Sequence, residues 1–180
     1  HLRPTLVLLG CQSVGGRIDQ ALPTAAGIEL AHVASLIHDD IMDSSGTRRS
    51  VQAVHLKYGV PTAIIAGDLL LIKLFQAIAK NAHVDGVTDR QIIRALEVAS
   101  EACISVCEGQ CMDLDFTSRW DVTEEECLQM YERKTATAFS ASLVIGAILG
   151  GGNEEEIRAL SEFGKLLGVA FQIQDDYLGC

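Results

Sequence analysis

The chain has 180 residues, 48% of them hydrophobic and 21% charged, which excludes a disordered tail and suits one domain with a sizeable core. Its formal net charge of −10 excludes the broad basic face that a nucleic-acid backbone needs for counterion release. Aromatic residues make up only 5% while Ala and Leu abound, a mixture that favours helices.

Helical periodicity recurs along the chain without convincing strand-like alternation, and it predicts helices at about 4–15, 22–43, 61–81, 88–115, 123–149 and 154–178. Pro4, Pro23 and Pro61 each sit where a helix would begin, the position at which the missing N–H costs nothing. Thr88 with Gln91 and Thr123 with Glu126 form capping-box pairs, and Asn153 with Glu156 is a looser variant. Between the segments lie "VGGRID", "SSGTRRS", "VDGV" and "GGGN", turn-forming stretches too short to be domain linkers. The expectation is an all-α fold, one helical bundle around a central cavity.

The nearest approach to a membrane span is Ala136 to Gly152, uncharged but rich in glycine and hydroxyl groups, which reads as a buried bundle helix. No basic-then-apolar leader opens the chain, so no membrane span or secretion is expected. Cysteines at 11, 103, 107, 111, 127 and 180 match no zinc or disulfide spacing. Cys103, Cys107 and Cys111 form one helical stripe and read as small buried residues in a reducing, cytoplasmic compartment.

The stretch "SLIHDDIMDSSGTRR", residues 35–49, carries the first chemical signal. On a helix, Asp39 and Asp43 lie one turn apart on one face, with His32 two turns before Asp39. Like charges at that spacing repel, so a fold that keeps them supplies a cation. Magnesium fits, because it takes one or two carboxylates and leaves positions for phosphate oxygens. The competing interpretation is a solvated acidic helix end. A second acidic pair, Asp175 and Asp176, shares a helical face with Gln172 in "FQIQDDYLG" and strengthens the metal reading. Arg48 and Arg49 suit a phosphate clamp. Lys134, beside Thr135, is either a snorkelling surface residue or a group facing a cavity. Together these residues describe a site for a diphosphate with an apolar tail.

These residues resemble the trans-isoprenyl diphosphate synthase family, the polyprenyl synthetases. The resemblance runs through "LRP" at 2–4, "HDDIMD" with "RR" at 38–49, "AGDLLL" at 66–71, "GQCMD" at 109–113, "KTA" at 134–136 and "FQIQDDYL" at 171–178. It implies condensation of isopentenyl diphosphate with an allylic diphosphate in a helical bundle that is a homodimer. It implies magnesium, three ions per active site, held by Asp39, Asp43 and Asp175, with Asp40 and Asp176 completing the two acidic motifs. Arg48 and Lys134 then contact the allylic diphosphate. Arg3, His32 and Arg49 hold isopentenyl diphosphate, and Thr135 and Gln172 line the reaction centre. Where the shortest-chain relatives carry bulky aromatics, Ala34 and Ser35 leave the cavity floor open. That difference implies geranylgeranyl diphosphate or a longer product made from farnesyl diphosphate, unless Phe75 or another neighbouring side chain blocks the tail.

The chain departs from the family pattern at Gly179, where many members carry a third aspartate, and at Ser50, where glycine often follows the arginine pair. The second change is expected to be harmless. Residues 1–180 form a single synthase domain without the family's N-terminal Gly-Gly-Lys-Arg segment and C-terminal helices, either part of a longer protein or a shortened homologue. A non-catalytic partner subunit of a heteromeric synthase and a class I terpene cyclase are the rival readings. Partner subunits commonly lose one acidic motif, and cyclases usually carry a different second motif.

Overall fold

In the computed structural model, which describes residues 1–179, the chain is built almost wholly from helices; Cys180 lies outside the described residues. Helix α1 runs over Leu2–Ser13 with Pro4 in its first turn, and α2 runs over Ile18–Met42. The second start differs from the expectation at Pro23, which lies inside α2. Gln20 is the reason: its Oε1 accepts the Arg17 backbone N–H at 2.8 Å, fixing the entry one turn early. Asp19 in that first turn also complements the helix dipole. Pro23 costs only the bond that would reach the Asp19 carbonyl, and its fixed φ is helical.

Helix α2 stops just after its aspartates. Ser44 adopts φ 53°, and the N–H of Ser45 donates to the Asp40 carbonyl at 2.9 Å while that of Ser44 reaches Ile41 at 3.3 Å. This is the Schellman closure, with serine at the left-handed position where glycine is usual. The next stretch reads in the sequence as a turn-forming connection between two helices. It forms instead a two-residue hairpin, β1 (Thr47–Arg48) and β2 (Val51–Gln52), with Arg48 opposite Val51, followed by the short helix α3 (Val54–Tyr58). Arg49 and Ser50 form the turn at φ 52° and 66°, positive at both central residues as the twist of a tight hairpin demands.

Helix α4 (Val60–Ala79) runs back along α2, a 3₁₀ turn (Lys80–His83) follows, and α5 (Asp89–Phe116) starts on the Thr88 capping box. The expected helix over 123–149 is divided: α6 (Glu124–Tyr131), a π-helical turn (Glu132–Ala136) and α7 (Thr137–Gly150). The Thr137 hydroxyl donates to the Glu132 carbonyl at 3.0 Å, engaging a carbonyl within the widened turn. Helix α8 (Glu154–Gly179) closes the described chain on a full reciprocal cap, Asn153 N–H to Glu156 Oε2 at 2.8 Å and Glu156 N–H to Asn153 Oδ1 at 3.0 Å.

Helix α7 is buried from Phe139 to Leu149, so its lack of charge serves the core as expected. Ile145 and Leu149 pack with Val7 and Cys11 of α1, Ala21 and Ala25 of α2, Leu74 and Ile78 of α4, and Ala95 and Ala99 of α5. Phe75 packs on the rim of this core. Two expectations change. Cys107 and Cys111 are exposed and Cys103 half-buried, because the small-residue stripe of α5 turns partly outward. Among the described residues, the helical segment long and apolar enough to cross a membrane is Val60–His83, not the 136–152 run. Ile65, Leu69 and Ile72 of α4 are exposed on it.

Ser50 is therefore not a neutral replacement for glycine. A left-handed non-glycine residue costs about 1–2 kcal/mol, offset in part by the extra unfolded-state freedom of glycine. Ser50→Gly is expected to stabilise the fold by about 0.5–1 kcal/mol, raising the thermal midpoint by roughly 1–4 °C. An unchanged or lower midpoint in differential scanning calorimetry contradicts the left-handed turn.

Candidate active site

The first acidic motif is divided by burial. Asp40 is 3% exposed and accepts from Arg48 Nε at 2.9 Å and Nη2 at 2.6 Å. Arg48 Nη2 also lies 3.5 Å from Asp39 Oδ2. Asp40 thus faces inward and anchors the hairpin arginine, whereas Asp39 is half-buried and Asp43, the C-cap, is exposed. Removing Arg48 would strand a buried carboxylate, a costly outcome.

The π turn answers the question left open for Lys134. Lys134 Nζ lies 2.5 Å from Asp113 Oδ2 and 3.7 Å from Asp39 Oδ1, so it is held between carboxylates of α5 and α2 and does not snorkel. The next residue points to the other acidic motif: Thr135 Oγ1 donates to Gln172 Oε1 at 2.7 Å, and Gln172 Nε2 donates to Asp176 Oδ1 at 2.8 Å. Tyr131, at the last turn of α6, donates its hydroxyl to the other oxygen, Asp176 Oδ2. Five consecutive residues thus join the ends of α2 and α8. The turn is gripped on two sides by glycines, since a Cβ at Gly109 would collide with the Lys134 backbone and one at Gly168 with Ala136.

Sequence reasoning assigns no role to Asp113, Gly109 or Tyr131. Gly109 and Asp113 stand at i, i+4 in "GQCMD", a spacing that puts close approach and carboxylate on one face. Tyr131 had no usable signal, because a π turn has no reliable pattern. Asp175 is exposed.

A second group lies across α1 and α2. Arg3 Nη1 is 3.3 Å from His32 Nε2, and the guanidinium sits 5.1 Å from the centre of the Phe139 ring. Burial lowers the Arg3 pKa, and burial together with the Arg3 charge depresses His32 to about 4. His32 is therefore a neutral acceptor at pH 7. Arg49, exposed on the hairpin, adds to the same positive field. Ser35 is exposed and its hydroxyl donates to the His32 carbonyl at 2.8 Å, whereas Ala34 is buried at 2% exposure.

Burial raises the Asp39 pKa; Lys134 opposes that shift and Asp43 adds to it. Among the described residues, no three carboxylate, histidine or cysteine side chains gather tightly enough to hold an ion unaided. Asp39 and Asp43 offer two oxygen donors one turn apart, and a divalent cation beside them would compensate the charge that burial disfavours. That donor set fits magnesium, which takes one or two carboxylates and completes its shell with water and phosphate. The two concavities of note, about 610 Å³ against α8 near Arg158 and about 310 Å³ between α2 and α4 near Lys73, lie elsewhere.

His32 also sets a pH dependence. Its folded pKa of about 4 lies below the ordinary 6.5, so the unfolded chain takes up the proton first. The stability is complete above pH 6.5 and is lost as pH falls towards 4. His32→Gln, which keeps an acceptor for Arg3, is expected to reduce that acid loss by on the order of 1 kcal/mol. Urea unfolding at pH 7 and pH 4.5 reads the difference, and equal acid losses in both proteins contradict the assignment.

The chain matches the polyprenyl synthetase family over residues 1–180. It is 48% identical to the short chain isoprenyl diphosphate synthase of Methanothermobacter thermautotrophicus over 98% of this chain and 53% of that protein. The structure of geranylgeranyl pyrophosphate synthetase from Pyrococcus horikoshii Ot3 superposes with a TM-score of 0.92 at 45% identity, over 98% of this chain and 53% of that one. A polyprenyl synthase from Caulobacter crescentus CB15, complexed with calcium and isoprenyl diphosphate, superposes with a TM-score of 0.88 at 30% identity, over 97% of this chain and 51% of that one. The chain thus spans about half the length of the relatives it matches. With its helical architecture and both acidic motifs in place, it belongs to the polyprenyl synthetase family.

Proposed function

We propose that this protein is a trans-prenyltransferase that condenses isopentenyl diphosphate with an allylic diphosphate, farnesyl diphosphate, to give geranylgeranyl diphosphate or a longer polyprenyl diphosphate. The observation that carries this reading is the chain of contacts from Asp39, through its ion pair with Lys134 and the hydrogen bonds of Thr135, to Gln172 and Asp176. It links two acidic motifs remote in sequence through neighbouring residues of one turn, which supports their acting together. The Caulobacter relative, complexed with calcium and isoprenyl diphosphate, supports a divalent cation and a prenyl diphosphate as ligands of the same architecture.

Asp39 and Asp43 on one side and Asp175 on the other are the proposed ligands of magnesium, three ions in all. Bound there, magnesium supplies charge neutralisation for the leaving diphosphate. Lys134 and the outer edge of Arg48 stabilise the negative charge that develops as the allylic C–O bond breaks. Arg3, neutral His32 and Arg49 hold the isopentenyl diphosphate head and bring its double bond to the allylic carbon, which removes much of the entropic cost of a two-substrate step. Thr135 and Gln172 line the reacting centre and keep the second motif in register with Lys134. Ala34 and Ser35 add no bulk next to the first motif, which supports a long product.

The exposed apolar stripe of Ile65, Leu69 and Ile72 on α4 is the proposed homodimer face, since soluble proteins rarely leave such stripes uncovered. The free thiols of Cys107 and Cys111 suit a reducing cytoplasm.

Supplied with isopentenyl and farnesyl diphosphates, the protein is expected to release pyrophosphate only when magnesium is present. Mass spectrometry should find a product of at least four isoprene units, and Asp39→Asn should lower turnover by about 10²-fold or more. Light scattering of the same sample should give twice the monomer mass. Release without isopentenyl diphosphate would indicate cyclase or hydrolase chemistry. No turnover, with tight binding to another synthase, would indicate a partner subunit.

A further inference from the structure

The two aspartates of the second motif differ in what they touch. Both oxygens of Asp176 are engaged within the protein, Oδ1 by Gln172 Nε2 at 2.8 Å and Oδ2 by the Tyr131 hydroxyl. Gln172 is itself held, because its Oε1 accepts from Thr135 at 2.7 Å. Tyr131 is half-buried at the junction of α6 and the π turn, three residues before Lys134. Its ring is thus fixed by the same turn that places Lys134 beside Asp39. Asp175 is an exposed neighbour on the preceding position of α8.

We propose that Tyr131 is a positioning residue which, with Gln172, occupies Asp176 and so reserves Asp175 as the metal-facing carboxylate of the second motif. The inference rests on the proposed function and deepens it. Two donors on Asp176 fix its rotamer, and α8 is thereby pinned to the π turn at the level of Lys134. Without the phenol, Asp176 Oδ2 is free to rotate outward and the last turn of α8 loses one of its two ties. Asp175 then samples positions that no longer match the cation bound by the first motif. Partners of this kind typically alter metal affinity by about 10–100-fold when removed.

The test is calorimetric titration of magnesium into the protein with inorganic pyrophosphate as probe. Tyr131→Phe is expected to need about tenfold more magnesium for half-saturation, yet to reach the same stoichiometry at saturating magnesium. A damaged fold would lower the stoichiometry instead, and the thermal midpoint checks it separately. Asp176→Asn should show a similar shift, and the double variant should be no worse than Asp176→Asn alone, as expected for two residues that act through one contact. Wild-type magnesium dependence in Tyr131→Phe overturns the proposal, as does an independent, additive loss in the double variant. Absence of magnesium-dependent pyrophosphate binding in the unmodified protein overturns the functional reading itself.

Discussion

The structure depends on how a Lys134 ammonium is placed between carboxylates of two helices. Asp113 holds it at 2.5 Å and Asp39 stands at 3.7 Å. Partly buried carboxylates that crowd one another raise the free energy of the fold unless cations answer them. Lys134 answers part of that charge, and Arg48 answers Asp40 completely enough to let it be buried. What remains, the partly compensated Asp39 with Asp43 and the exposed Asp175, is the charge that a metal–diphosphate cluster would neutralise. The stability problem and the proposed binding function are one electrostatic arrangement.

The π turn is the structural device that makes this possible. A regular helix over 123–149 would have kept Lys134 and Thr135 in α-helical register with Tyr131 and the core of α7. The widened turn lets Lys134 face α2 and α5 while Thr135 and Tyr131 face α8. Such a turn is less favourable than α-helix, and it persists because α5 and α8 close on its backbone through Gly109 and Gly168. The fully buried α7 then serves as a rigid post behind it. Packing, local backbone geometry and site chemistry thus converge on five residues.

Much of this was legible in the sequence, and the failures have physical causes. The long helices followed from apolar periodicity, and the starts at Thr88, Thr123 and Asn153 followed from reciprocal caps that the structure realises. Pro23 misled because a glutamine cap one turn earlier outweighed the usual preference of proline for a helix start. The hairpin at Arg48 and Val51 was hidden because its turn uses Arg49 and Ser50 in left-handed conformations that normally signal glycine or asparagine. The outward turn of Cys107 and Cys111 could not be seen, since small residues fit a packed or an open face equally. At the site, the aspartates, His32, Lys134 and Gln172 stood out by residue type and spacing, whereas Arg3 was marked only by the family resemblance. The roles inside the first motif did not: Asp39 and Asp40 look alike in a string, and only burial against Arg48 separates them.

The most direct test of the central idea is a crystal structure of the protein grown with manganese, in place of magnesium, and pyrophosphate. The account predicts anomalous peaks in one diphosphate-bridged cluster that takes oxygens from Asp39 of α2 and Asp175 of α8 together. Manganese bound to one motif alone, with the other paired only to protein side chains, would contradict it.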